Sequence, residues 1–125
     1  MTLIDYFQDS DDTEATSSDT AWTTMLSTTL FLRRKNLIHI SLEYGGDVTN
    51  RDVGVRVVVN GVERKSDYHE PSRTTASGGW KNLTFIQLVD TGESEVEYVV
   101  ELQGIVESSP QILHIRRRSL YIMQQ

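Results

Sequence analysis

The chain has 125 residues, no cysteine, 38% hydrophobic residues and a formal net charge of −6. That length suits one domain with a core of its own, and the missing thiols exclude disulfide staples, thiolate metal sites and thiol catalysis. No apolar run approaches the roughly 18–20 residues of a membrane helix, and the acidic start is unlike the basic, then apolar, pattern of an export signal.

The charge is concentrated at one end. Asp5, Asp9, Asp11, Asp12, Glu14 and Asp19 fall within the first 20 residues, which hold no Lys or Arg, and this leaves 12 acids against 12 bases in residues 21–125. Residues 1–20 therefore read as an acidic, Ser/Thr-rich N-terminal arm and residues 21–125 as the folded domain. Leu3, Ile4, Tyr6 and Phe7 form a short apolar cluster ahead of the acids, the pattern of a segment that folds on binding and buries a few large side chains. The alternative is an arm strand that completes the protein's own sheet. Because its composition supplies no core, the arm is expected to be dispensable for folding. The sequence pI of about 4.9 and the balanced body argue against nucleic acid, whose binders carry a basic face.

The body reads as strands at short, regular spacing. Residues 22–32 form a first, Thr-rich strand. Ile38, Ile40, Leu42 and Tyr44 then alternate with His39, Ser41 and Glu43, the period of a strand with one buried and one wet face, and Gly45-Gly46 is expected to turn it. Val53, Val55, Val57 and Val59 repeat the pattern with β-branched side chains. Asn60-Gly61 closes a hairpin, since both positions tolerate positive φ, and sends the chain into a polar edge strand over residues 62–68.

Residues 80–89 are apolar enough for a buried strand with Leu83, Phe85, Ile86 and Leu88, turned by Thr91-Gly92. Val96, Tyr98, Val100 and Leu102 are expected to face inward against Glu95, Glu97, Glu101 and Gln103, until a loop over residues 104–110. A last strand covers residues 112–123, where the apolar face switches from Leu113 and Ile115 to Leu120 and Ile122. A bulge near Arg117 accounts for that switch. No stretch has a helical period, and there are no internal repeats. The expected fold is all-β: an antiparallel sandwich, a jelly roll rather than an immunoglobulin-like roll, with an extended N-terminal arm.

Chemistry-bearing constellations are missing. There is no G-x-S-x-G, and His39, His69 and His114 are each solitary, without the paired spacing of a metal-dependent jelly-roll enzyme. The expectation is no catalytic residue, no metal and no cofactor. Gly45-Gly46 and Gly78-Gly79 lack the context of a phosphate loop, and Glu95 and Glu97 read as a solvated strand face rather than a glycosidase pair. Trp22 and Trp80 read as lids on the core in preference to a sugar platform. Arg116, Arg117 and Arg118 suit phosphate, the acidic strand of Glu95, Glu97 and Glu101, or the acidic arm of a neighbour, and the abundance of carboxylates in the chain favours a protein partner.

The order of Trp22 and a Thr/Ser-rich strand, residues 37–44, Val53 to Asn60-Gly61, Tyr68-His69-Glu70-Pro71, Gly79-Trp80 to Leu88, Thr91-Gly92 and Ile115-Arg116-Arg117-Arg118-Ser119-Leu120 resembles small jelly-roll structural proteins of tailed bacteriophages, of the capsid decoration or cement type. The resemblance covers residues 21–123. It implies a non-enzymatic virion protein on the capsid exterior, assembled in the host cytoplasm, that bridges subunits of a major capsid protein as a homotrimer without nucleic acid, membrane or cofactor. On that reading Leu3, Ile4, Tyr6, Phe7, Asp9, Asp11 and Asp12 form the capsid-docking arm, and Arg116, Arg117 and Arg118 make inter-subunit contacts. A tail or fibre knob that binds host glycans is the alternative.

Overall fold

A computed structural model describes the backbone of residues 2–8 and the whole of residues 14–124. The described residues form β1 (Thr2–Gln8), β2 (Ala15–Ser17), β3 (Thr23–Leu32), β4 (Lys35–Gly46), β5 (Val53–Val59), β6 (Val62–His69), β7 (Lys81–Asp90), β8 (Val96–Val106) and β9 (Leu113–Gln124), with a short 3-10 turn at Thr75–Ser77. All strand pairs are antiparallel. Two sheets result, in the orders β1-β9-β4-β7 and β3-β8-β5-β6, and β2 pairs with the first part of β9.

This order is that of one long hairpin wrapped into a sandwich. β5 pairs with β6 at its tip, β4 with β7 and β3 with β8 further back, and β1 with β9 at its open end. That is the jelly roll expected from strand spacing. The outermost strand of the roll, β1, comes from the segment that composition marks as an arm. β1 runs along Ser119–Gln124 and β2 along Leu113–Ile115, so both continue one edge of the sheet. This pairing is the arrangement expected of an arm strand that completes the protein's own sheet.

Alternation decides which face is buried. Ile38, Ile40, Leu42 and Tyr44 of β4 are buried beside Leu113, Ile115, Leu120 and Ile122 of β9. Opposite them lie Val53, Val55, Val57 and Val59 of β5, with Val100, Leu102 and Val106 of β8. Each fully buried aliphatic side chain of this size contributes about 1.5–3 kcal/mol relative to exposure. The bulge falls where the pattern demanded it. Ser41 pairs with Ser119 but Glu43 with Arg116, which puts one extra residue into β9, and Arg117 takes φ 52°. Asn60 and Gly61 hold φ 50° and 79°, both positive as a tight two-residue hairpin requires.

Four expectations change. Gly45-Gly46 does not turn the chain; both residues lie inside β4. Gly46 is there because a Cβ would sit 2.6–2.7 Å from the amide of Gln111. Residues 104–106 extend β8 instead of opening a loop. Ile86 and Leu88 point outward at 56% and 79% exposure, because alternation along β7 gives the buried face to Leu83, Phe85 and Val89. Val96, expected inside, begins β8 at the rim and is 36% exposed.

Gln111 is wholly buried and organises the loop after β4. Its Nε2 donates to the carbonyls of Val48 and Arg51, each at 2.7 Å, and its Oε1 accepts from the amides of Val48 (2.8 Å) and Ile112 (3.2 Å). Two donors and two lone pairs are all used, which makes a buried amide tolerable.

Candidate functional site

The outer face of the β9-β4-β7 sheet gathers the charged residues singled out by the sequence. Arg116 Nε donates to Glu43 Oε2 at 3.0 Å, and Arg117 Nη1 lies 3.4 Å from Glu43 Oε1. Consecutive residues of a regular strand point to opposite faces, so two neighbouring arginines reach one carboxylate only because the bulge interrupts the alternation. The guanidinium of Arg116 also lies over the indole of Trp80, 3.8 Å from the ring centroid. Trp80 stands just before β7 and meets His114 edge-on at 6.4 Å.

His114 joins three parts of the chain. Its Nδ1 is 2.6 Å from Glu14 Oε2, ahead of β2, and its Nε2 is 2.6 Å from Asp47 Oδ1, just past β4. The first is a hydrogen bond; the second is a close approach without hydrogen-bond alignment. Thr75 Oγ1 reaches the same Asp47 oxygen at 3.5 Å. The end of β4, the start of β9 and the approach to β2 are thereby tied at one point. His39, far along the same face, stacks on Tyr121 at 4.5 Å. Among the described residues no group of three or more His, Asp or Glu side chains is arranged to hold a metal ion.

Neither tryptophan belongs to the buried core, which corrects the reading of both as core lids. Trp22, ahead of β3, carries the guanidinium of Arg56 at 4.4 Å from its ring centroid, as Trp80 carries that of Arg116. A planar guanidinium covers an aromatic face while keeping its N–H groups available, so half-buried indoles at strand entries are shielded without being engulfed. Of the arm residues, Leu3, Ile4, Tyr6 and Phe7 fall within β1, where the backbone sets Ile4 opposite Ile122 and Phe7 opposite Leu120. Asp9, Asp11 and Asp12 lie outside the described residues.

Under the sheets, Tyr44 is a core residue with a polar end. Its hydroxyl donates to Asp67 Oδ2 on β6, and Lys81 Nζ pairs with the same carboxylate at 3.2 Å. Burial pushes the Tyr44 phenol well above the ordinary tyrosine range, and the Asp67 carboxylate that accepts its proton and repels a phenolate adds to this. Burial also lowers the proton affinity of His69, with the Lys81 ammonium acting in the same direction. None of these contacts links residues near in sequence, which is why alternation could not reveal them. A groove of about 470 Å³ runs along β2 and the start of β3, and Asp19 is the one titratable side chain among its lining residues.

No protein-family profile matches the sequence, and no curated protein matches it. Solved structures with the same fold do exist. The chain is similar to a chain of T=1 particles derived from infectious bursal virus, with 13% identity and a TM-score of 0.61 over 99% of this chain and 32% of that one. It is equally similar to VP2 of infectious bursal disease virus in a subviral particle, with 12% identity and a TM-score of 0.61 over 99% of this chain and 33% of that one. A third likeness is the CBM36-1 domain of a multidomain xylanase from the hindgut metagenome of Trinervitermes trinervoides, with 12% identity and a TM-score of 0.50 over 99% of this chain and 97% of that one. The chain thus spans about a third of the length of the viral chains and nearly all of the xylanase domain. These likenesses establish a shared jelly-roll architecture, found in viral particles among other settings.

Proposed function

We propose that this chain is a structural component of a virion, a decoration protein seated on the capsid exterior that strengthens the shell by bridging major capsid protein subunits. The observation that carries this reading is the edge strand β7. From Asn82 to Val89 it has no charge and no proline, and it exposes Ile86 and Leu88. Soluble monomers blunt such an edge with charges, prolines or bulges, whereas a protein that works against a neighbour leaves it open. The shared fold with chains of viral particles agrees with a virion role.

On this reading β1, at the other end of the same sheet, offers its outer edge to the shell, with Leu3, Ile4, Tyr6 and Phe7 as anchors and Asp9, Asp11 and Asp12 steering the approach. Arg116, Arg117 and Arg118 lie at contacts between copies in a homotrimer, where several weak sites gain from one another's proximity. The test is occupancy on shells of the encoding virus prepared without this protein, imaged by cryo-electron microscopy. Threefold density across subunit joints is expected. Replacing Tyr6 and Phe7 with Ala is expected to raise the off-rate at every salt concentration. Changing Asp9, Asp11 and Asp12 to Asn is expected to slow association and flatten its salt dependence. Failure of the parent protein to bind such shells overturns the reading.

A further inference from the structure

We infer that the outer face of the β3-β8-β5-β6 sheet is a platform for a neutral oligosaccharide, built on Tyr68 and Trp22. This site is separate from the proposed shell contacts and does not depend on them. Gly54 of β5 pairs with Tyr68 on one side and Ile105 on the other. A Cβ at Gly54 would lie 2.9 Å from Cδ1 and Cε1 of Tyr68, so the glycine lets the phenol ring settle against the strand backbone. Trp22 closes on Tyr68 edge-on, with ring centroids 6.0 Å apart. Tyr68 nevertheless remains 54% exposed. A sugar ring stacks its C–H faces on this kind of uncovered, rigidly seated aromatic surface.

The next row of the sheet supplies directed polar groups. Arg56 Nε donates to Gln103 Oε1 at 2.7 Å, and Gln103 Nε2 donates to Glu101 Oε2 at 2.7 Å. Arg56 Nη1 also sits 3.4 Å from Glu63, while its guanidinium rests on Trp22. Guanidinium, amide and carboxylate are planar groups that present donors and acceptors in fixed directions, the complement of adjacent sugar hydroxyls. Arg56 is paired with Glu63 and linked through Gln103 to Glu101, so the row of polar groups beside the aromatics carries no excess positive charge of its own. The surrounding residues of β6, Glu63 to Ser66, are all polar and exposed, unlike the apolar centre of a protein interface.

The experiment screens the full chain against an array holding neutral, sialylated and sulfated glycans, followed by titration calorimetry with the best neutral oligosaccharide. Binding to neutral glycans in preference to anionic ones is expected. Tyr68→Ala and Gln103→Ala should each weaken it at least tenfold, with melting curves recorded for both, and Leu88→Ala, an exposed apolar residue of the other sheet, should leave it unchanged. Gln103→Ala decides the matter if Tyr68→Ala fails to fold. Absence of any neutral ligand, preference for anionic glycans, or affinity that survives the substitutions would overturn the assignment. Shell occupancy of the same variants separates this site from the decoration role, because loss of sugar binding with full occupancy leaves that role standing.

Discussion

Thr2 is the register partner of Gln124, so the first strand of the roll lies beside the last. Removing residues 1–20 deletes both β1 and β2 and turns β9 from an inner strand into an edge. Such a truncation should lower stability by about 3 kcal/mol or more, given ~1 kcal/mol for each of several lost ladder bonds. For a domain of this size that corresponds to a melting temperature lower by roughly 10 °C. An unchanged calorimetric transition would show that β1 and β2 add nothing to the sheet.

Gln111 is expected to be among the costliest polar positions in the chain. Gln111→Ala strands the amide and carbonyl of Val48 and the carbonyl of Arg51 in a part-buried loop. A loss of about 3 kcal/mol is expected, from unsatisfied backbone groups at about 1–3 kcal/mol each. Chemical denaturation measures it. Gln111→Glu makes the sharper comparison, because it keeps the acceptor for Val48 while removing both donors.

The Tyr44 phenol has a higher proton affinity folded than unfolded, so its contribution is fully present below the unfolded value of about 10 and is lost as pH rises above it. Stability should therefore fall steeply above pH ~10 in the parent protein. Tyr44→Phe should abolish that alkaline slope while costing about 1–2 kcal/mol at neutral pH, since the Asp67 carboxylate loses a donor. For His69 the sign is reversed. Its lowered proton affinity means that stability is present above the ordinary histidine value of 6.5 and falls as pH drops below it, and His69→Gln should flatten that acid limb.

The contact between His114 and Glu14 is partly exposed, with side-chain exposures of 16% and 34%, and holds the approach to β2. Glu14→Gln should cost about 0.5–1 kcal/mol globally, the range of partly screened pairs. Its clearer signature is local. Amide exchange of Ala15–Ser17 should speed up while that of β4 stays constant. Equal exchange in parent and variant would mean that backbone pairing alone secures β2.

Much of the roll was legible in the sequence because period-two alternation and β-branched residues leave strands few other options. The Asn60-Gly61 turn and the bulge at Arg117 were legible for a related reason: each is the local device that makes a visible pattern consistent. What stayed hidden depends on which strands become neighbours. Ile86 and Leu88 look like core residues until the packing gives the buried face of β7 to Leu83, Phe85 and Val89. Gly46 looks like a turn until Gln111, far along the chain, needs its missing side chain. Arg116 and Arg117 were read as meeting a partner's carboxylates, and their pairing with Glu43 of the same chain emerges only once β4 and β9 are aligned. The aromatic seat at Gly54 was invisible for the same reason, since Trp22, Gly54 and Tyr68 sit on three different stretches of chain.

The wrapped hairpin also sets the order in which the molecule is completed during synthesis. Its tip, β5 with β6, can pair as soon as it emerges, but β1 has no partner until residue 124 has been made. Closure of so long a loop comes late and carries the largest entropic cost in the fold. Throughout that interval the first strand of one nascent chain competes with the same strand of its neighbours for any finished β9. Crowding several copies on one message would therefore favour exchange of β1 between chains, making synthesis a stage at which an oligomer can be wired together.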